Sequence, residues 1–109
     1  MIVKPEWLDQ IYEDKDLEIR GQSCRSKIGK RIYLCPSGAS AVTGTAVIAD
    51  CLGPLTPEQF DELRPRHKVP GASPYEKTFA WVLRDVQRVP RVPIKRNESV
   101  IWQTGPGGA

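Results

Sequence analysis

The stretch Lys77-Thr78-Phe79-Ala80-Trp81-Val82-Leu83-Arg84 decides the fold. In an extended chain successive side chains point to opposite faces. Phe79, Trp81 and Leu83 therefore share one face, and Ala80 and Val82 the other. A strand that is apolar on both faces is covered on both, as in a barrel or a sandwich. Upstream, residues 44–52 (GTAVIADCL) form a second β-rich run and residues 31–35 (RIYLC) a third, separated by a turn of small residues at 36–40. Residues 16–20 alternate strictly. Leu17 and Ile19 are expected to face inward, while Asp16, Glu18 and Arg20 form a charged outer face. Short apolar segments at residues 1–3 and 100–103 complete a set of about six strands.

Two helices interrupt this pattern. Pro5 suits a first helical turn, and Trp7, Leu8, Ile11 and Tyr12 form one apolar stripe, which predicts a helix over 5–13. Thr56 and Gln59 have the spacing of a capping box around Pro57, which predicts a helix from there to about Arg64. Residues 21–29 and 64–73 read as polar loops. Residues 88–96 (RVPRVPIKR) hold Pro90 and Pro93, which exclude a helix and a central strand. That segment is expected at an edge, with Arg88, Arg91, Lys95 and Arg96 projecting. The expected fold is α+β and mainly β: a small, closed or nearly closed barrel of about six strands with two flanking helices. It forms one domain over residues 1–103, followed by a glycine-rich tail at 104–109 that is expected to be flexible.

The chain has 109 residues and a formal net charge of +3, which permits a polyanionic partner without requiring one. Its three cysteines, Cys24, Cys35 and Cys51, include no C-x-x-C pair, and His67 is its single histidine. A structural zinc site takes about four ligands, so no metal is expected. Cys35 and Cys51 read as small buried hydrophobes in strands and Cys24 as a loop thiol. No phosphate-binding glycine loop or dinucleotide fingerprint occurs, and no cofactor is expected. No apolar run approaches the ~20 residues of a membrane span, and the N-terminus has no signal-peptide core. With free thiols, these features point to the cytoplasm.

Residues 13–20, Glu-Asp-Lys-Asp-Leu-Glu-Ile-Arg, resemble the G-x-K-x-x-E-x-R hallmark of ASCH domains, a branch of the PUA-like barrels. Lys15, Glu18 and Arg20 match, and Glu13 stands in place of the glycine, adding a negative charge beside the lysine. The opening Lys4-Pro5-Glu6-Trp7, the stretch from His67-Lys68-Val69-Pro70 through Tyr75 to Leu83, and Val92-Pro93-Ile94-Lys95 with Trp102 are also similar to the family. The resemblance implies a cleft in which the hallmark lysine, glutamate and arginine face a ligand. It also implies roles around RNA: binding, ribonuclease activity, or hydrolysis of the amide of an acylated cytidine. In the last subgroup a threonine stands where this chain has Glu18.

Glu18 and Arg20 lie two apart on one strand, and Lys15 can swing to the same face. Glu18 can accept from a base edge, and Arg20 can donate bidentately to phosphate or a base. On pattern alone, the three better describe a solvated strand face with a local ion pair, and the family resemblance turns the reading toward a site. Tyr33 and Tyr75 each border a loop and are candidates for stacking on a base, whereas Trp81 fits core. Arg88, Arg91 and Lys95 either track a phosphate backbone or blunt a sheet edge. The first expectation is an RNA-binding module for RNA or a modified base, with a nucleotide-like ligand as partner. The second is a hydrolase using Lys15 and Glu18, with Lys15 as base only if burial lowers its pKa, an effect that Glu18 opposes. In that reading Ser37, Ser40 and His67 are further candidates. The third is a protein-interaction domain.

Overall fold

The doubly apolar strand runs through the middle of a single sheet in the computed structural model, which describes residues 1–93. Five strands, β1 (Ile2–Val3), β2 (Leu17–Arg20), β3 (Arg31–Pro36), β4 (Ala41–Leu52) and β5 (Phe79–Pro93), lie in the order β1-β3-β4-β5-β2. All neighbours are antiparallel except β1 and β3. The helices are α1 (Pro5–Glu13), α2 (Pro57–Glu62) and α3 (Arg64–His67), with a 3-10 turn at Arg25–Lys27. The sixth strand expected at 100–103, the tail at 104–109, and Lys95, Arg96 and Trp102 lie outside the described residues.

The two faces of β5 serve two separate cores. Phe79, Trp81 and Leu83 pack with Leu8 and Ile11 of α1 and with Ile32, Leu34, Ala46 and Ile48 of β3 and β4. Ala80 and Val82 pack with Leu17, Ile19, Phe60 and Leu63 on the other side, under α2. One sheet thus separates two hydrophobic layers, and α1 and α2 cover opposite faces of it. The capping box is present as expected. The Gln59 N–H donates to Thr56 Oγ1 at 3.1 Å, and the Thr56 N–H donates to Gln59 Oε1 at 2.8 Å.

The sheet curls without closing. Register shifts interrupt the pairing of β4 and β5 at Val42/Gly44, Thr45/Val47 and Ile48/Asp50, and irregularities of this kind bend and twist a sheet. Asp85 sits at φ +50, and its carbonyl accepts from Arg31 at 3.0 Å. The expected closed or nearly closed barrel is, among the described residues, an open, barrel-like curl with β1 and β2 as its free edges.

Two further expectations change, and a third holds. Residues 64–67, read as loop, form α3, because Pro65 occupies its first turn and Lys68 ends it in the left-handed conformation at φ +61. Cys24, read as a loop thiol, is fully buried. The proline-bearing segment is the distal part of β5 and pairs with β4 on one side as far as Pro93. On its other side β2 reaches only to Val82, so the prolines sit where no second ladder needs their missing N–H.

Gly44 shows how tightly α1 is pressed onto the sheet. A Cβ built there would lie 2.2 Å from the Tyr12 hydroxyl and 2.7 Å from the Gln87 carbonyl oxygen. Gly44→Ala is expected to lower stability by about 1–3 kcal/mol through overpacking, read as a lower urea midpoint at unchanged slope. A midpoint equal to wild type would show that α1 can move off the sheet freely.

Candidate functional site

The two free edges of the curl face each other across a cleft of about 350 Å³. Ile2 and Val3 of β1 line one side and Glu18, Ile19 and Arg20 of β2 the other. Arg20 bridges the gap, since its guanidinium donates to the Ile2 carbonyl. Trp7, Lys15, Ser37 and Tyr75 are also among the lining residues. The site lies at the seam where a closed barrel would have paired its last two strands.

Strand alternation puts Glu18 and Arg20 on one face, as the sequence predicts. Their cross-strand partners Trp81 and Phe79 show which face it is: the inside of the curl. Glu18 is accordingly 6% exposed, and the outer charged face read from the sequence is an inner one. Lys15, 1% exposed, reaches the same place from the end of α1. Its ammonium donates to the His67 carbonyl, lies 3.8 Å from Glu18 Oε1, and stands 4.7 Å from the centre of the Trp7 ring. Glu18 Oε2 accepts from Arg20 Nε at 3.1 Å, and the Arg20 guanidinium lies over Trp81 at 5.9 Å. The result is a continuous run of Lys15, Glu18 and Arg20, with a tryptophan face against each cation.

A clasp holds Lys15 in place. Residues 14, 15 and 16 meet residues 68, 67 and 66 in antiparallel order. Lys68 Nζ pairs with Asp14 Oδ1 at 2.6 Å, Lys15 bonds the His67 carbonyl, and Arg66 grips Asp16 through Nε at 3.0 Å and Nη2 at 2.7 Å. The outer two pairs are exposed and contribute little each, about 0–1 kcal/mol. Their effect is to aim a carbonyl at the buried ammonium. His67 is buried with both ring nitrogens engaged. Nε2 stands 2.7 Å from the Phe60 carbonyl, and Nδ1 accepts from the Val69 N–H at 2.9 Å. Those partners assign the Nε2–H tautomer, and burial holds the imidazole pKa below its ordinary value. The ring is thus a structural support stacked 4.2 Å from Phe60, not a general acid.

Burial pushes the Lys15 pKa down, against the pull of Glu18. Burial pushes the Glu18 pKa up, against Arg20 and Lys15. Both residues resist ionisation because each has left water; Glu18 favours the charged form of Lys15, and Arg20 and Lys15 favour the charged form of Glu18. Glu13, which replaces the hallmark glycine, is the exposed last residue of α1. No positive φ occurs there, so the helix end does not need glycine.

Of the other candidates, Tyr75 stands at the cleft, 42% exposed. Its ring lies so close to Gly21 that a Cβ there would come within 2.9 Å. Tyr33 lies on β3 opposite Thr45, away from the cleft. Arg88 is stacked on Tyr12 at 4.2 Å, on the far part of β5. Arg91 donates to the Ala39 carbonyl at 3.2 Å and so reaches the turn that carries Ser37. Ser40 is not among the lining residues, whereas Ser37 is. Trp7 lines the cleft, although sequence reasoning assigned it to the core stripe of α1. Its place beside Lys4 and Pro5 in the family-like opening was the available signal. No group of metal-ligating side chains occurs among the described residues, nor any helix long and apolar enough to cross a membrane.

Two solved structures share this fold. The crystal structure of ASCH from Zymomonas mobilis superposes with a TM-score of 0.70 at 18% identity, covering 92% of this chain and 80% of that one. This chain has the ASCH fold. A serine-to-alanine mutant of the Zymomonas mobilis ASCH protein superposes with a TM-score of 0.63 at 19% identity, covering 86% of this chain and 72% of the other. No protein-family profile matches the sequence, and comparison with curated proteins finds no match. The ASCH fold therefore comes from structure, at identities where sequence carries little signal.

The buried ion network makes two predictions. Lys15→Met is expected to lower stability by about 3 kcal/mol in urea unfolding, because Glu18 loses a buried partner. Adding Glu18→Gln to it should restore part of that loss; a double mutant as unstable as the sum of the two singles would mean the groups do not interact. The second concerns pH. Glu18 has a raised pKa in the folded chain, so its contribution is intact below the ordinary glutamate value of 4.5 and is lost as pH rises through the folded value. The stability of wild type relative to Glu18→Gln should therefore fall as pH increases from 4.5, and a flat difference would contradict the burial.

Proposed function

We propose that this chain is an ASCH-family RNA-binding module that takes one nucleobase of a single strand, plain or modified, into the seam cleft. The observation that carries this reading is the pairing, in one small cleft, of a half-exposed aromatic ring with a buried, hydrogen-bonding charge run. Tyr75 offers a face for stacking, worth about 1–3 kcal/mol per base in single-strand binders. Glu18 offers an acceptor, and Arg20 and Lys15 offer donors, for the edge of a base or its phosphate. A volume of about 350 Å³ sits at the small end of ligand sites, fit for one nucleoside and too small for a duplex groove. Lys4 and Arg20 at the rim leave the mouth cationic, which suits a phosphate.

The test is a titration with labelled single-stranded RNA at two salt concentrations. Tyr75→Ala and Arg20→Ala should each weaken binding by about 1–3 kcal/mol, and wild-type affinity should fall as salt rises. Tyr75 is exposed, so its variant separates ligand loss from fold loss. Binding that ignores both substitutions and salt would remove the proposal and favour a protein partner.

A hydrolase reading is favoured by one observation, the Ser37 hydroxyl in the wall of the cleft that holds a lysine of lowered pKa. Turnover of RNA or of an acylated nucleoside that disappears in Ser37→Ala, with binding retained, would establish it.

A further inference from the structure

Away from the cleft, two of the three cysteines meet. Cys24 follows the loop that leaves β2, and Cys51 sits near the end of β4. Cys51 Sγ lies 3.2 Å from the backbone nitrogen of Cys24, whose N–H donates to it, and 3.5 Å from Ser23 Oγ. The two thiols also interact side chain to side chain. The sulfur of Cys51 thus already lies against the main chain of Cys24. Cys35, by contrast, is buried at the far end of β3 against β1, with no second thiol beside it.

Cys51, at 5% exposure, is the more accessible of the two. Cys51 lines an open depression of about 510 Å³ with Arg25, Leu52, Gly53, Leu55 and Gln59. Arg25 donates to the Gly53 carbonyl at 3.0 Å across that depression, which places a guanidinium near the sulfur. The arrangement is asymmetric. Cys51 accepts from an N–H and a hydroxyl, whereas Cys24 is fully buried and its sulfur faces the Asp50 carbonyl at 3.8 Å, a weak acceptor for its proton.

We propose that Cys51 and Cys24 form a peroxide-oxidisable pair, in which Cys51 is the attacking thiolate and Cys24 the resolving thiol, and that the product is an intrachain disulfide. In the first step the Cys51 sulfur attacks one oxygen of hydrogen peroxide. The O–O bond breaks, sulfur is oxidised by two electrons to a sulfenic acid, and hydroxide leaves. In the second step Cys24 sulfur attacks the Cys51 sulfur. The S–O bond breaks, the thiol proton of Cys24 goes to the leaving oxygen, and water is released. The titration behaviour of the two thiols agrees with these roles. Burial raises the Cys51 pKa, but the hydrogen bonds from Ser23 and Cys24, with the Arg25 charge, outweigh it and leave the pKa below the ordinary value. Burial and the contact with Cys51 push Cys24 up to about 12, which keeps it protonated until the second step.

The experiment treats the full chain with hydrogen peroxide, quenches with a thiol-alkylating reagent, and maps the products by mass spectrometry with fragmentation. Free thiols should fall from three to one, with Cys24 and Cys51 joined and Cys35 alkylated. Cys35→Ser should give the same linkage, and Cys24→Ser should leave a sulfenic acid on Cys51 that a dimedone probe captures. Alkylation of Cys51 in untreated protein should be faster than that of Cys35, whose burial holds its thiol protonated. The wild-type map does not depend on any variant folding. Three thiols remaining after treatment, a linkage that includes Cys35, or oxidation only between chains would overturn the proposal.

Discussion

An ammonium removed from water needs acceptors on every side, and Lys15 finds them on three different segments. The His67 carbonyl comes from α3, the Glu18 carboxylate from β2, and the Trp7 ring from α1. Leaving such a charge unpaired would cost several kcal/mol, a large share of the stability of a chain this size. The three segments are therefore held in one relative arrangement, and that arrangement is the wall of the cleft. The exposed ion pairs at Asp14 and Asp16 are weak individually, yet they fix where the carbonyl of residue 67 points.

The cleft exists because the sheet stops short of closing. Irregular pairing between β4 and β5 bends the sheet until β1 and β2 face each other, and the Arg20 side chain spans them where a backbone ladder would otherwise run. A closed barrel would have filled this volume with main-chain hydrogen bonds. The open seam instead presents polar side chains, supported from behind by Trp81 and Trp7. The fold's departure from closure and its candidate site are thus one feature. The oxidisable thiols lie elsewhere, where β4 meets the loop after β2, and share no side chain with the site.

Much of this was legible in residues 1–93. The period-two pattern of 77–84 gave both faces of β5 their separate cores, because alternation is set by backbone geometry alone. The helix over 5–13 and the capping box at Thr56 followed from local rules in the same way. The hallmark-like spacing brought Lys15, Glu18 and Arg20 together correctly. Tyr33 was a stacking candidate because it borders a loop, and Arg88 a phosphate contact because it projects from the proline-bearing edge; the fold puts both away from the cleft, since neither property carries distance information. α3 was missed because two prolines and a run of basic residues read as loop until Pro65 is seen in a first helical turn.

The sequence by itself determined which residues share a face, where helices begin, and that a lysine, a glutamate and an arginine can converge. Only the tertiary structure decided that this shared face is the inside of the curl, that His67 serves Lys15 through its carbonyl and not its ring, and that Trp7 and Ser37 belong to the cleft. The physical reason is the range of the forces. Alternation, capping and turn chemistry act over a few residues, and any sequence displays them. Desolvation of a charge, by contrast, depends on what the distant parts of the chain place around it, and here those parts are up to 52 residues apart.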